Sequence, residues 1–147
     1  MECVTLFFQI GKNGIELIKK FESCSLKAHK GAGEKYYTIG YGHYGADVKP
    51  NQIITQSKAD LLLKKDLAYF EDKVNKKNKF KLTQNQFDAL VSYCYNRGPK
   101  GLNQLLSNSE SVKDLGENIV VYWGSNEKVK KGLLNRRKAE QKLFLTK

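Results

Sequence analysis

Little in this chain could hold it together covalently or through a metal. Its 147 residues include three cysteines, Cys3, Cys24 and Cys94, too few and too widely spaced for a disulfide framework or a zinc pattern. Cys24 and Cys94 have apolar neighbours and are read as small core hydrophobes, which suits synthesis in a reducing compartment. Histidine is scarce too, with only His29 and His43, so a structural zinc site is not expected, and no metal or cofactor is assigned. Prolines number two, and no low-complexity tract or internal repeat occurs, a composition ordinary for a globular protein. The apolar stretch Val4-Thr5-Leu6-Phe7-Phe8 is far too short to span a bilayer, and no stable membrane association is expected. It lacks a basic segment before it and a small-residue cleavage site after it, so it is not read as a signal peptide.

Acidic residues are the other shortage. Twenty-six lysines and arginines face 15 aspartates and glutamates, a net charge of +11. Such a surface expects a polyanionic partner, and nucleic acid, anionic lipid and bacterial cell wall all qualify on charge alone. The length suits one domain, or two small lobes sharing a core.

Along the chain, Ile15, Leu17, Ile18 and Phe21 repeat at helical spacing and predict a helix over roughly Asn13 to Cys24. Gly31, Gly33, Gly40, Gly42 and Gly45 then punctuate a stretch carrying Tyr36, Tyr37, Thr38, Ile39 and Tyr41, read as short strands and tight turns and as the only β region. Ala59, Leu62, Leu63, Asp66, Leu67 and Phe70 mark a long helix from an N-cap at Thr55 to about Val74. The polar, basic run Lys73 to Lys81 reads as a solvated helix end and linker. Thr83 and Gln86 fit a capping box ahead of the apolar face Phe87, Leu90, Val91 and Cys94, and Gly98-Pro99 ends that helix. Shorter helices are expected at Leu102 to Leu106, Val112 to Trp123 and Leu133 to Leu143. Trp123, flanked by Val120, Val121 and Tyr122, reads as core or hinge. The fold class is therefore α+β, mainly α, with one small N-terminal β hairpin region.

The sharpest candidate is Glu22, at the end of the first helix, sixteen residues before Thr38. Breaking a glycosidic bond near neutral pH needs a carboxylic acid that stays protonated, which a partly desolvated position provides. Phe21 and Leu26 are expected to make such surroundings. A carboxyl on a helix end facing a hydroxyl on a hairpin suits acid catalysis at a sugar oxygen. Gly40-Tyr41-Gly42-His43-Tyr44-Gly45 spells a dinucleotide fingerprint, but no helix opens after it and no βαβ unit surrounds it, so that reading is rejected. His43 reads as a structural, hydrogen-bonded histidine and His29 as a surface or cleft-edge residue. Asn96 suits either a sugar contact or a helix C-terminal cap. Arg136 and Arg137, near the start of the last helix, suit a carboxylate partner or a solvated basic face.

Three blocks carry a resemblance: Glu22 with Tyr36-Tyr37-Thr38-Ile39-Gly40-Tyr41-Gly42-His43; Leu82 to Leu90; and Gly132-Leu133 through Arg136-Arg137, Glu140 and Leu143-Phe144. In this order they resemble the phage-type lysozymes, glycoside hydrolase family 24. The resemblance implies a two-lobe lysozyme-like fold over residues 1–147, with a small lobe at about 10–55, a linking helix at about 56–75 and a helical lobe at about 76–147. It implies cleavage of the β-1,4 link between N-acetylmuramic acid and N-acetylglucosamine in peptidoglycan, with Glu22 as general acid and Thr38 orienting the attacking water. Arg136 would be the cation near Glu22, with Asn96 and Tyr37 binding substrate. The partner would be bacterial peptidoglycan rather than nucleic acid, acted on by a monomer held in the host cytoplasm until released to the wall.

The resemblance breaks at one element. The family usually carries an aspartate nine residues after the glutamate and six before the threonine; here those counts land on Gly31 and Ala32. Glu34, four before Thr38, is the candidate replacement. An inverting hydrolase needs a second group to activate water, whereas a lytic transglycosylase manages with one glutamate. Transglycosylation therefore stays open as an alternative. So do a catalytically dead wall-binding relative and a basic nucleic-acid-binding protein using Thr55 to Leu67 in a helix-turn-helix.

Overall fold

A computed structural model describes residues 7–121 and 130–147. Among these residues five helices accompany one small antiparallel sheet. The chain order is α1 (Lys12–Phe21), β1 (Ser25–His29), β2 (Tyr37–Gly40), β3 (His43–Gly45), α2 (Gln56–Lys77), α3 (Gln84–Ser107), α4 (Val112–Asn118) and α5 (Lys130–Leu145). The fold is α+β and mainly helical, as the periodicities predict. It divides into two compact units, Ile18–Ala68 and Met1–Leu17 with Tyr69–Lys147, so the divide falls within α1 and within α2. Among the described residues, no helix is long and apolar enough to cross a membrane.

The unit Ile18–Ala68 is built around the sheet, in the order β1-β2-β3. Ile39 and His43 pair across the β2–β3 hairpin, and the three-residue turn between them carries Gly40 at φ 69° and Gly42 at φ 97°. Side chains other than glycine rarely adopt these angles, so the glycine spacing is turn chemistry. Ala28, Ile39, Val48, Ile54 and Ala59 form the core here, with Tyr37, Tyr41 and Leu62 packed against it. Residues 52–54 run along the free side of β1: Ala28 N–H donates to Gln52 O and Ile54 N–H to Leu26 O, each at 2.8 Å.

In the other unit α3 packs against α5, burying Phe87, Leu90, Val91, Cys94, Leu102, Leu105 and Phe144. The start of α3 has both halves of its capping box, with Gln86 N–H donating to Thr83 Oγ1 at 3.2 Å and Thr83 N–H to Gln86 Oε1 at 2.9 Å. Gly98, at φ 79° and ψ 168°, breaks the helical path inside α3, and Pro99 starts the second stretch. Space does not demand glycine at 98, since a Cβ would meet nothing within 4 Å; the backbone angle does. Asp88, on the buried face of α3, holds the start of α1 by accepting Gly11 N–H at 2.9 Å and Gly14 N–H at 3.1 Å. These are orphan donors of a helix N-terminus, and a buried carboxylate there is favourable.

Several expectations need correction. β1 makes Ser25–His29 a third strand, and its signal was weak because only Ala28 of its five residues is buried. Cys24 is exposed, whereas Cys94 is buried. Leu26, expected beside Glu22, is 39% exposed. Thr55 does cap α2, accepting Lys58 N–H at 3.1 Å, but α2 then runs unbroken from Gln56 to Lys77. Thr55 to Leu67 therefore contains no turn of its own. The N-cap of α4 is Ser111, and the helix ends at Asn118. Residues 119–121 are turn where the helix was expected to continue, and Cys3, Tyr122 and Trp123 lie outside the described residues.

Candidate active site

Glu22 closes α1. Its N–H donates to Ile18 O at 2.8 Å, continuing the helical ladder, and its side chain is half-buried. Two residues, Ser23 and Cys24, lead straight into β1. Thr38 lies on β2, the middle strand, paired with His29 on one side and Tyr44 on the other. Strand alternation puts Tyr37 and Ile39 on the core face and Thr38 on the opposite one. Tyr37 is half-buried, with the Lys30 ammonium 5.4 Å from its ring centre. His29 is exposed.

Glu34 is exposed and folds back over its own loop, where its N–H donates to Gly31 O at 3.1 Å. Its side chain fills the space that a side chain at residue 31 would take, so a Cβ added to Gly31 would collide with the Glu34 carboxylate.

His43 has a hydrogen-bond partner at each ring nitrogen. Its Nδ1 lies 2.8 Å from Asp66 Oδ2 and its Nε2 2.8 Å from Asp47 Oδ2. Burial works against a charged ring, but the hydrogen bonds to Asp47 and Asp66 outweigh it and raise the His43 pKa. The same hydrogen bond lowers that of Asp47. His43 is thus structural, joining β3 to α2 by way of Asp66. Sequence reasoning took Asp66 as one more residue of the helical stripe; a carboxylate at an otherwise apolar register is the signal of a partner. A second tie fixes α1, where Lys19 Nζ meets Asp60 Oδ1 at 2.9 Å and raises its own pKa through that bond. Gln56 donates to Asp60 and to the Tyr41 hydroxyl.

In the other unit, Asn96 is exposed near the end of the first stretch of α3. Arg136 is 3% exposed, and both Arg137 and Glu140 are fully buried. Arg136 Nε donates to Glu140 Oε2 at 3.3 Å and its Nη2 to Ser92 O at 3.3 Å. Arg137 Nη2 donates to Glu140 Oε2 at 2.9 Å, and Ser92 Oγ to the same oxygen at 2.5 Å. The Arg137 guanidinium also stacks 4.7 Å from the Tyr93 ring centre. Burial pushes the Glu140 pKa up, while Arg137, Arg136 and Ser92 pull it back. A solvated basic face is excluded for both arginines. The sequence marks Glu140 only as part of the third block of the resemblance and does not mark Ser92, although a glutamate three residues after paired arginines is a legible sign of an ion pair.

Comparison with known proteins fits this architecture. The family described as Phage lysozyme matches residues 19–140. The endolysin of Bacillus phage PZA is 48% identical over 143 residues, covering 92% of this chain and 55% of that protein. The chain thus spans about half the length of that relative. Among solved structures, the muramidase domain of SpmX from Asticaccaulis excentricus superposes with a TM-score of 0.83 at 34% identity, covering 95% of this chain and 99% of that one. The endolysin from Escherichia coli O157:H7 phage FAHEc1 does so with a TM-score of 0.82 at 32% identity, covering 97% and 96%. This chain belongs to the phage lysozyme family.

Proposed function

We propose that residues 1–147 form a lysozyme-like catalytic domain of the endolysin type, a muramidase that hydrolyses the β-1,4 bond between N-acetylmuramic acid and N-acetylglucosamine in bacterial peptidoglycan. One observation carries the reading beyond family membership. Glu22 sits half-buried on the closing turn of α1, two residues from a sheet whose middle strand bears Thr38. The connection from Glu22 into β1 is only Ser23 and Cys24, and both groups belong to one compact unit, which supports Glu22 as a positioned acid.

In the mechanism, Glu22 delivers its proton to the glycosidic oxygen as the bond to the leaving sugar breaks. Thr38 Oγ1 orients the attacking water, and Glu34 supplies the carboxylate that accepts its proton. Tyr37 and Asn96 are the candidate sugar contacts, and Arg136 acts from within the Glu140 cluster. The net charge of +11 draws the protein to the anionic wall polymer. In the phage setting the protein waits in the host cytoplasm and acts, as a monomer, once it reaches the wall.

Glu22→Gln tests the reading, because the amide keeps the shape and cannot give a proton. Incubated with purified peptidoglycan, the parent should release reducing ends and the variant almost none, with thermal melting unchanged. A variant that clears walls at the parent's rate would remove Glu22 from the role. Anhydro-muramic ends in the parent's products would replace hydrolysis by transglycosylation.

A further inference from the structure

The basic run at the end of α2 has no part in that chemistry. Lys73, Lys76, Lys77, Lys79 and Lys81 fall within nine residues. Lys73, Lys76 and Lys77 share one side of the helix by their spacing, and Asp72 pairs with Lys76 at 3.2 Å. The Lys73 ammonium lies 5.0 Å from the Tyr69 ring centre and that of Lys79 5.4 Å from Phe80, so both stems run along aromatic surface.

Beside this run lies a groove of about 490 Å³, walled by Phe8, Phe80, Leu82 and Phe87 and bordered by Lys79 and Lys81. Its floor is firm, since Phe8 and Phe87 stack with ring centres 5.3 Å apart. Two amides also line it, and both are engaged by backbone. Asn75 accepts Phe8 N–H at 3.1 Å and donates to Phe8 O at 2.9 Å. Asn78 accepts Phe80 N–H at 3.0 Å and donates to Phe80 O at 2.6 Å. The groove therefore offers hydrocarbon and ammonium groups, with little to bind sugar hydroxyls or a peptide backbone.

We propose that the groove and the lysine run form a docking face for an anionic lipid bilayer, with lipid hydrocarbon entering between the phenylalanines and phosphate headgroups meeting the lysines. Charge complementarity selects the anion, and the apolar walls select a lipid over a wall phosphodiester polymer, which would use the lysines and leave the phenylalanines idle. The spread of the lysines suits an array of headgroups better than one small anion. Phe7, next in the chain to Phe8 and 62% exposed, adds an exposed aromatic side chain to the three that wall the groove. The contact is peripheral and reversible, and it does not depend on Glu22.

Sedimentation of the full chain with vesicles tests this. Binding is expected to vesicles of phosphatidylcholine mixed with phosphatidylglycerol and not to phosphatidylcholine alone. Lys79→Gln with Lys81→Gln should weaken it about 25-fold, at about fivefold for each lysine near an anionic surface, and leave cleavage of soluble chitin oligomers at the parent's rate. Phe80→Ser and Phe7→Ser should weaken vesicle binding while leaving binding to soluble polyphosphate unchanged; Phe7, being exposed, keeps the test valid if Phe80→Ser fails to fold. Equal binding to both vesicle types would overturn the proposal. So would serine variants that bind mixed vesicles as the parent does, since the run would then be a site for any polyanion.

Discussion

Glu34 stands in for a side chain that Gly31 does not have: a Cβ on Gly31 would lie 3.2 Å from the Glu34 Cδ. Residue 31 is nine after Glu22, the register at which the family carries its aspartate. On the reading proposed above, a loop one residue longer and a side chain one methylene longer return a carboxylate to the same neighbourhood. Glu34→Gln should then cost about 100-fold or more in release of reducing ends from peptidoglycan, the scale of a lost general base. The sharper experiment moves the carboxylate. Gly31→Asp combined with Glu34→Ala should recover most of the parent's activity, and Gly31 has no positive φ to forbid it. A double variant as inactive as Glu34→Ala alone would show that the position is not equivalent.

The His43–Asp66 tie predicts a pH-dependent stability. Its pKa is raised above the usual 6.5, so the folded state holds the proton more tightly than the unfolded chain. The stabilisation is complete below about pH 6.5 and is lost as pH rises through the folded-state value. Asp66→Asn should lower the melting temperature most in mildly acid buffer, and the gap from the parent should narrow towards alkaline pH. A gap independent of pH would mean that packing, and not the charge on His43, holds β3 to α2.

Removing the buried carboxylate should be severe. Glu140→Gln leaves Arg137 and Arg136 buried without their counter-ion, a change that typically costs about 3–5 kcal/mol. Ser92→Ala, which removes one hydrogen bond to the same oxygen, should cost about 1 kcal/mol. Urea titration of both variants checks the ordering, and a smaller loss for Glu140→Gln than for Ser92→Ala would contradict the ion-pair account.

The two described cysteines should differ in reactivity. Burial pushes the Cys94 thiol up to about 11, whereas Cys24 is exposed. Thiolate is the reactive form. Brief alkylation of the native protein followed by peptide mapping should label Cys24 and spare Cys94, with both labelled after denaturation. Equal native labelling would mean that α3 opens readily near Cys94.

Features that are local in sequence could be read without coordinates. The Thr83–Gln86 capping box, the Thr55 cap and the break at Gly98-Pro99 each depend on residues within a few positions of one another. So does the turn between β2 and β3. What could not be read depends on distant partners: Asp66 on His43, 23 residues away, Glu140 on Ser92 at 48, and Asp88 on Gly11 at 77. Cys24 was misjudged for the same reason, because apolar neighbours in sequence do not report what covers a side chain in space. β1 escaped because Lys27 and an exposed Leu26 erase the alternation that marks a half-buried strand. In the candidate site, Glu22 and Thr38 stood out through motif and spacing, whereas the folding of Glu34 onto Gly31 is a loop conformation with no sequence signature.

The anchoring of α1 by Asp88 also bears on the order in which the protein can be made. The unit Ile18–Ala68 is continuous in the chain, while its companion joins Met1–Leu17 to Tyr69–Lys147. During synthesis the sheet and its small core can close as soon as α2 has emerged. Gly11 and Gly14 must wait for Asp88, and the helices packed on α3 must wait for Arg137 and Glu140, more than 40 residues further along the chain. The nascent chain therefore carries a finished insert inside an unfinished host, and the inserted unit shortens the span that must be searched before the two ends of the host can meet.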